Sequence, residues 1–195
     1  MASLNPLQMR EVFLLVFLRE LWSTSWAQRT GRHTTLGRSG TRSGCGFSPH
    51  SLVPLLAGGH RAYVSLISAL HLHGLIEQIP LVIFAVTTGP TRVRKTSVGT
   101  YSYHRIHPRL FEGFDWYGKR QDFLVATPEK AVVDSFYLSS RRGKRFGSFP
   151  EIDLQARFSF KRAIEFAKRI RHDPWTRKYV LQQLEILRRQ VTSTP

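Results

Sequence analysis

An α+β fold is what this sequence predicts: a small mixed or antiparallel sheet flanked by helices, with a helical C-terminal tail. Three observations lead there. Residues 81–88, LVIFAVTT, follow Pro80 and are apolar, β-branched and aromatic over the length of one buried strand. Thr127-Pro128-Glu129 is a helix start in three residues: a hydroxyl that can accept a free N–H, a proline whose φ suits the first turn, and a carboxylate at the positive end of the helix dipole. Beyond Ser159, apolar residues recur at helical spacing and strand signals stop. At 195 residues, with 42% hydrophobic and 12% aromatic side chains, the chain can build a packed core of this kind.

In chain order, residues 7–22 (LQMREVFLLVFLRELW) hold good helix formers and no Gly or Pro, and read as a short helix that is apolar around much of its circumference. From 23 to 59 the texture turns to Arg, Gly, Ser and Thr, as in QRTGRHTTLGRSGTRSGCG. Such a stretch buries too little apolar area to offset its ordering entropy, and a loop or disorder is expected. Tyr63 and Val64 read as extended, Ser65 as an N-cap acting through its hydroxyl, and residues 66–73 as a helix ended by a left-handed Gly74.

The LVIFAVTT strand is expected to be central and to form a hairpin with residues 100–106, TYSYHRI, the connecting GPTRVRKTSVG making a basic tip. Residues 114–117 and 121–126 read as a second strand pair turning at Gly118-Lys119. The helix opened by Thr127 is expected to reach Leu138 and to stop at SSRRGKR. Two more helices are expected over 159–170 and, after an Asp173-Pro174 cap, over 175–189, with Tyr179, Leu181, Leu184, Ile186 and Leu187 as the apolar face of the last. Phe158, Phe160, Phe166 and Trp175 are assigned to the core between these helices rather than to stacking on bases.

Charge narrows the partners. Twenty-nine Lys and Arg oppose 13 Asp and Glu, a formal net charge of +16 that calls for something acidic, and by charge alone nucleic acid, an acidic protein face and a membrane surface all stay open. Residues 1–60 hold six basic and two acidic side chains and residues 61–195 hold 23 and 11, so neither part is neutral. All six of the first group are Arg, which suits a phosphate-binding arm and equally a segment translated from a shifted frame; both readings stay open. A single cysteine, Cys45, excludes a disulfide framework and a Cys-rich zinc site, sits between glycines as an idle thiol, and fits a cytoplasmic protein. The N-terminal apolar run, residues 12–18, is far short of the roughly 20 residues of a membrane span, and Glu11, Arg19 and Glu20 crowd it against a signal-peptide reading. No membrane partner is expected.

Reactive constellations are sparse. Asp115, Asp122, Glu129 and Lys130 lie close enough to suggest a metal-dependent nuclease, but Glu129 and Lys130 are adjacent, and on a strand adjacent side chains face opposite sides. His71-x-His73 and His104-x-x-His107 lack partners at zinc spacing, and His73 reads as a helix C-terminal residue serving free carbonyls. Asp134 reads as a buried carboxylate holding nearby backbone or an Arg. No catalytic residue, metal, cofactor or small-molecule substrate is expected. Arg141, Arg142, Lys144 and Arg145, with Arg92, Arg94 and Lys95 on the presumed hairpin, are the candidates for contact with nucleic acid or with an acidic protein face, against the alternative of a solvated surface.

Four blocks carry a resemblance. Tyr63-Val64-Ser65-Leu66-Ile67-Ser68-Ala69-Leu70 followed by His73-Gly74-Leu75-Ile76, the strand ending Val86-Thr87-Thr88, the segment from Gly99 to Ile106, and Ala126-Thr127-Pro128-Glu129-Lys130-Ala131-Val132-Val133-Asp134 resemble, in the same order, the motifs of the AbiEi family of abortive-infection antitoxins. The resemblance covers residues 60–140, and the helical tail is compatible with it. It implies a non-enzymatic bacterial antitoxin and transcriptional regulator: an N-terminal winged helix that binds the operator DNA of its own operon, and a C-terminal domain that antagonises a nucleotidyltransferase-like toxin. In that frame Tyr63, Ser65, Ala69, Leu70, His73, Gly74, Thr127, Pro128, Glu129, Lys130, Ala131 and Asp134 are structural signature residues. The sequence therefore divides into residues 1–59, an atypical segment without the helices and wing of a winged helix, and residues 60–195, the antitoxin-like domain. A basic nucleic-acid-binding protein without a toxin partner is the alternative.

Overall fold

A computed structural model of the chain describes residues 48–118, 122–140, 152–154 and 158–192, all within one compact unit. A 3₁₀ turn, Pro49–Leu52, runs into α1, Val53–Leu56; each has a proline in its first turn, where a missing N–H costs nothing. The chain continues through β1 (Ala62–Val64), α2 (Leu66–Leu72), β2 (Val82–Thr87), β3 (Arg92–Lys95) and β4 (Thr100–Arg105). A second 3₁₀ turn, Pro108–Leu110, precedes β5 (Phe114–Trp116) and β6 (Leu124–Ala126), and then come α3 (Pro128–Ser139), α4 (Phe160–Lys168) and α5 (Pro174–Thr192). The strands form one mixed six-stranded sheet in the order β3-β4-β2-β1-β6-β5, flanked by helices with α5 as the C-terminal tail, the α+β arrangement the sequence predicts.

β2 lies inside the sheet, but its partnership with β4 differs from the expected hairpin. The two run parallel, in register from Val82↔Thr100 to Thr87↔Arg105. The basic connector is no tip; it folds as β3, antiparallel to β4. A four-residue turn closes β3 on β4, with Thr96 Oγ donating to the Gly99 carbonyl (2.9 Å) and accepting the Gly99 N–H (3.2 Å). Closing that short loop costs less chain entropy than closing the whole connector between β2 and β4. The pair β5 and β6 is antiparallel as expected, in register from Phe114↔Ala126 to Trp116↔Leu124.

Side chains alternate across the sheet with period two, so Val64, Ala85 and Tyr103 align on one face and Tyr63, Val86 and His104 on the other. The first face is capped by residues 48–57. Tyr101 donates to the Pro49 carbonyl (2.9 Å), Tyr103 to that of Val53 (2.8 Å) and Arg92 Nη2 to that of Leu56 (3.2 Å), while His50 stacks on Phe123 at 5.2 Å. Val53 and Ala57 are buried beneath. The Arg92 guanidinium comes within 2.8 Å of where a Cβ on Gly58 would sit, and Gly58 has φ +64°, so no other residue fits there without strain. The expected loop over 23–59 therefore fails at its end. The apolar run from Leu52 to Leu56 is too short to register as periodic, and the side chains that bond it, Arg92 and Tyr103, lie 36 and 50 positions away. The earlier part of that stretch, Cys45 and the helix expected over 7–22 lie outside the described residues.

Beyond the other face, α4 and α5 pack on α3. On α5 the buried line is Thr176, Val180, Leu184 and Leu187, one face of a helix at 100° per residue. Of the five apolar residues expected on that face, Leu184 and Leu187 are buried, Tyr179 and Leu181 are half-buried, and Ile186 is 49% exposed because it falls one residue off the line. Trp175 is 63% exposed and stacks on Tyr179 at 5.9 Å instead of filling the core. Phe158, Phe160 and Phe166 are half-buried, the first two packed edge to face at 5.0 Å.

Replacing Tyr103 with Phe leaves the Val53 carbonyl without its donor, and we expect a loss of about 1–2 kcal/mol in urea unfolding. Burial pushes the Tyr103 phenol up to about 12, so its contribution is intact below pH 10 and fades as pH rises from there through about 12. The Tyr103→Phe variant should lose less stability than the parent over that window.

Candidate functional site

The signature residues from the two ends of the motif series meet at the seam between β1–α2 and β6–α3. Thr127 caps α3, its Oγ accepting the Lys130 N–H at 3.4 Å. The helix then places Lys130 and Asp134 four residues apart on one side. Asp134 is fully buried: the Lys130 ammonium bonds Oδ1, and the hydroxyls of Tyr63 and Ser65 both donate to Oδ2 at 2.9 Å. Asp134 is thus a buried anchor as expected, but its partners are a lysine and two hydroxyls rather than backbone or an arginine. Lys130 also lies 5.9 Å from the centroid of the Tyr63 ring, which stacks on Phe114 (4.7 Å) and meets Phe111 edge-on (5.0 Å). Burial, then the neighbouring Asp134 charge, hold the Tyr63 phenol well above its ordinary range, so it stays a proton donor.

Ser65 occupies the N-cap position of α2 without capping it through the side chain, because Asp134 has taken the hydroxyl. Its backbone N–H donates to the Phe84 carbonyl (3.1 Å), carrying the β1–β2 ladder one residue further. Leu66 must then turn the chain from strand to helix, and does so at φ +56° with its side chain fully buried. A leucine in this left-handed region costs about 1–3 kcal/mol, tolerated only where the surroundings over-determine it. Here the Ser65 tie and the buried leucyl group do so. One turn on, Ser68 Oγ accepts the Phe84 N–H (2.9 Å) and donates to the Val82 carbonyl (3.3 Å), serving β2 where β1 has ended.

His73 closes α2 with a backbone N–H to the Ala69 carbonyl, and Gly74 follows at φ +70°. Its ring was expected to serve its own helix; instead Nε2–H donates to the Ala126 carbonyl of β6 at 2.7 Å. Ala69, Leu70 and Ala131 are buried nearby in α2 and α3. Glu129 does more than offset the helix dipole: it is buried, its Oε1 accepts the Ser159 N–H at the start of α4 (3.2 Å), and Arg162 stands 3.9 Å away. Its Oε2 is buried without a hydrogen-bond partner.

Three of the seven basic candidates, Arg92, Arg94 and Lys95, are among the described residues, all on β3. Arg92 is half-buried, its guanidinium 5.7 Å from the Tyr103 ring centroid and bonded to Leu56. Arg94 and Lys95 are exposed and, as neighbours on one strand, project to opposite faces. Arg141, Arg142, Lys144 and Arg145 lie outside the described residues. Asp115 is exposed with Oδ1 on the Trp116 N–H, and Asp122 is exposed, while Glu129 is buried. Among the described residues no three His, Cys, Asp or Glu converge in a way that could hold a metal ion. His104 Nε2 meets Ser102 Oγ at 2.9 Å, and the His107 ring stacks on His172 at 4.1 Å.

The link from Tyr63 and Ser65 to Asp134 was missed by sequence reasoning. Its trace is there: a Tyr-x-Ser pair shares one strand face, and a Lys-x-x-x-Asp pair shares one helix face, so each pair can present two groups to one target. Removing one partner of a buried ion pair is strongly destabilising, so Asp134→Ala should cost about 3–5 kcal/mol in urea unfolding. The apolar double variant Lys130→Met/Asp134→Leu should lose clearly less than the sum of its single changes, by about 1 kcal/mol or more. Additive losses would show that the two charges do not hold each other. Compared with protein-family models, curated proteins and solved structures, the chain matches none.

Proposed function

We propose that this chain is an antitoxin of the AbiEi type, which neutralises a nucleotidyltransferase-like toxin by binding and takes part in repressing its own operon. One observation carries the reading. The four motif blocks form β1–α2, β2, β4 and β6–α3, whose strands are consecutive neighbours in the order β4-β2-β1-β6, and the first and last blocks share Asp134. Unrelated helix-start and strand motifs have no reason to assemble side by side, whereas a family signature that specifies one folding unit does. The carboxylates of that unit, Asp134 and Glu129, are spent on internal partners, which supports action through the outer surface rather than through a reaction. No helix of the described residues is long and apolar enough to cross a membrane, and the proposal places the protein in the cytoplasm.

The test is to look for a nucleotidyltransferase-like protein in the adjacent reading frame and to co-express it with this chain. We expect the chain to relieve the growth arrest that protein causes, and Asp134→Ala to weaken the relief by dismantling the unit. Arrest that persists with the folded chain present sinks the antitoxin reading.

The formal charge of +16 favours a second reading as a nucleic-acid binder. That reading predicts duplex affinity falling log-linearly with salt, with a slope of about −0.9 for each phosphate contacted. A flat response in a fluorescence-anisotropy titration removes it.

A further inference from the structure

The outer edge of β3 carries an inference that deepens the reading of this chain as a protein-binding module and rests on it. Among the described residues β3 is the outermost strand on its side of the sheet. Its direction of hydrogen bonding is fixed by the turn. Thr96 N–H donates to the Gly99 carbonyl (3.0 Å), and the register steps from there through Lys95↔Thr100, Arg94↔Tyr101, Val93↔Ser102 and Arg92↔Tyr103. Opposed residues in an antiparallel ladder alternate between bonded and non-bonded pairs, so Arg92 and Arg94 spend their backbone groups on β4. Val93 and Lys95 aim theirs away from the sheet, and no partner meets them among the described residues.

Side chains say what this edge can accept. Arg94 and Lys95 are exposed on opposite faces of the strand, and Val93, 52% exposed, lies on the Lys95 face. Neither β3 nor β4 contains an acidic residue. A second copy of this chain docking edge to edge would set cations against cations, which is unfavourable for directly opposed pairs and is a known way of guarding an edge. A strand with Glu or Asp opposite Arg94 and Lys95 and an apolar residue opposite Val93 meets the opposite sign at both places. Phosphates could match the charges, but they have no use for the outward N–H and C=O groups of Val93 and Lys95, which suit a peptide backbone.

We propose that β3 is a docking edge for an acidic, extended segment of a partner protein, which joins the sheet as a seventh strand beside Val93 and Lys95.

The probe is a fluorescein-labelled peptide with Val-Glu-Glu-Val at its centre, which sets Glu against both Arg94 and Lys95 and Val against Val93 in either strand direction, with a control of equal charge and length interrupted by proline. Val93→Pro removes an outward N–H without touching the bonds to β4, a substitution that edge strands tolerate. Its fold is checked by circular dichroism and melting. The inference expects the Glu/Val peptide to bind the full chain at least about tenfold more tightly than the interrupted one, and Val93→Pro to erase that preference. Equal binding of both peptides, or a folded Val93→Pro that binds like the parent, overturns it and leaves only non-specific attraction. Should Val93→Pro not fold, Arg94→Glu/Lys95→Glu decides: it must transfer the preference to a Lys/Val peptide, and failure to do so overturns the inference. Toxin relieved equally by the parent and by folded Val93→Pro sinks the edge and spares the antitoxin reading; peptide binding at the edge without relief of any toxin does the reverse.

Discussion

A carboxylate removed from water must have its charge met, and Asp134 sets that constraint at the centre of this protein. The lysine on its own helix and the two hydroxyls from β1 and its end satisfy both oxygens, so α3 can sit against the sheet only where those donors reach it. A slip of one residue along α3 would swing the Lys130–Asp134 pair by about 100° as one body and take the carboxylate away from both hydroxyls. An ion pair of this kind is worth little as net stability, since burying the two charges costs about as much as their attraction returns. Its value lies in specifying one arrangement. Because β1 lies between β2 and β6, a helix fixed to β1 also fixes the sheet beneath it, and the strained backbone at Leu66 persists inside that frame.

Much of this frame was legible in the sequence. The composition of residues 81–88, the Thr127-Pro128-Glu129 start and the Asp173-Pro174 cap each placed an element within a few residues, because their signals are local. What was not legible depended on distance. The parallel pairing of β2 with β4 depends on the connector itself pairing with β4 as β3, and nothing within β2 or β4 records that. The cap at residues 48–57 has little pattern of its own and is held by tyrosines far along the chain. At the site, the burial of Asp134 was readable from its place in an apolar helix, but its partners were not, since each hydroxyl also had a plausible local use. Ser65 looked like a helix cap because its own helix would have welcomed one.

Function follows from the same division of labour. The charges inside the unit are matched in pairs, with Lys130 on Asp134 and Arg162 near Glu129, while Arg94 and Lys95 stand exposed on the edge strand. The two buried acids, Glu129 and Asp134, hold the unit together, while the outer edge of the sheet offers cations to its surroundings. Specificity for one acidic partner over another then needs something that charge alone lacks, such as a strand edge with fixed spacing and direction.

The way residues 48–57 attach to the sheet bears on how this part of the chain can change. All three polar ties, from Tyr101, Tyr103 and Arg92, end on main-chain carbonyls, at Pro49, Val53 and Leu56. A carbonyl is the same whichever amino acid carries it. These ties recognise a path of the backbone, and apart from the buried Val53 and Ala57, the His50 ring stacked on Phe123 and the prolines that open its turns, the segment can be rewritten while keeping its seat. The burden of keeping that seat falls on the two tyrosines and the arginine, whose side chains alone supply the donors.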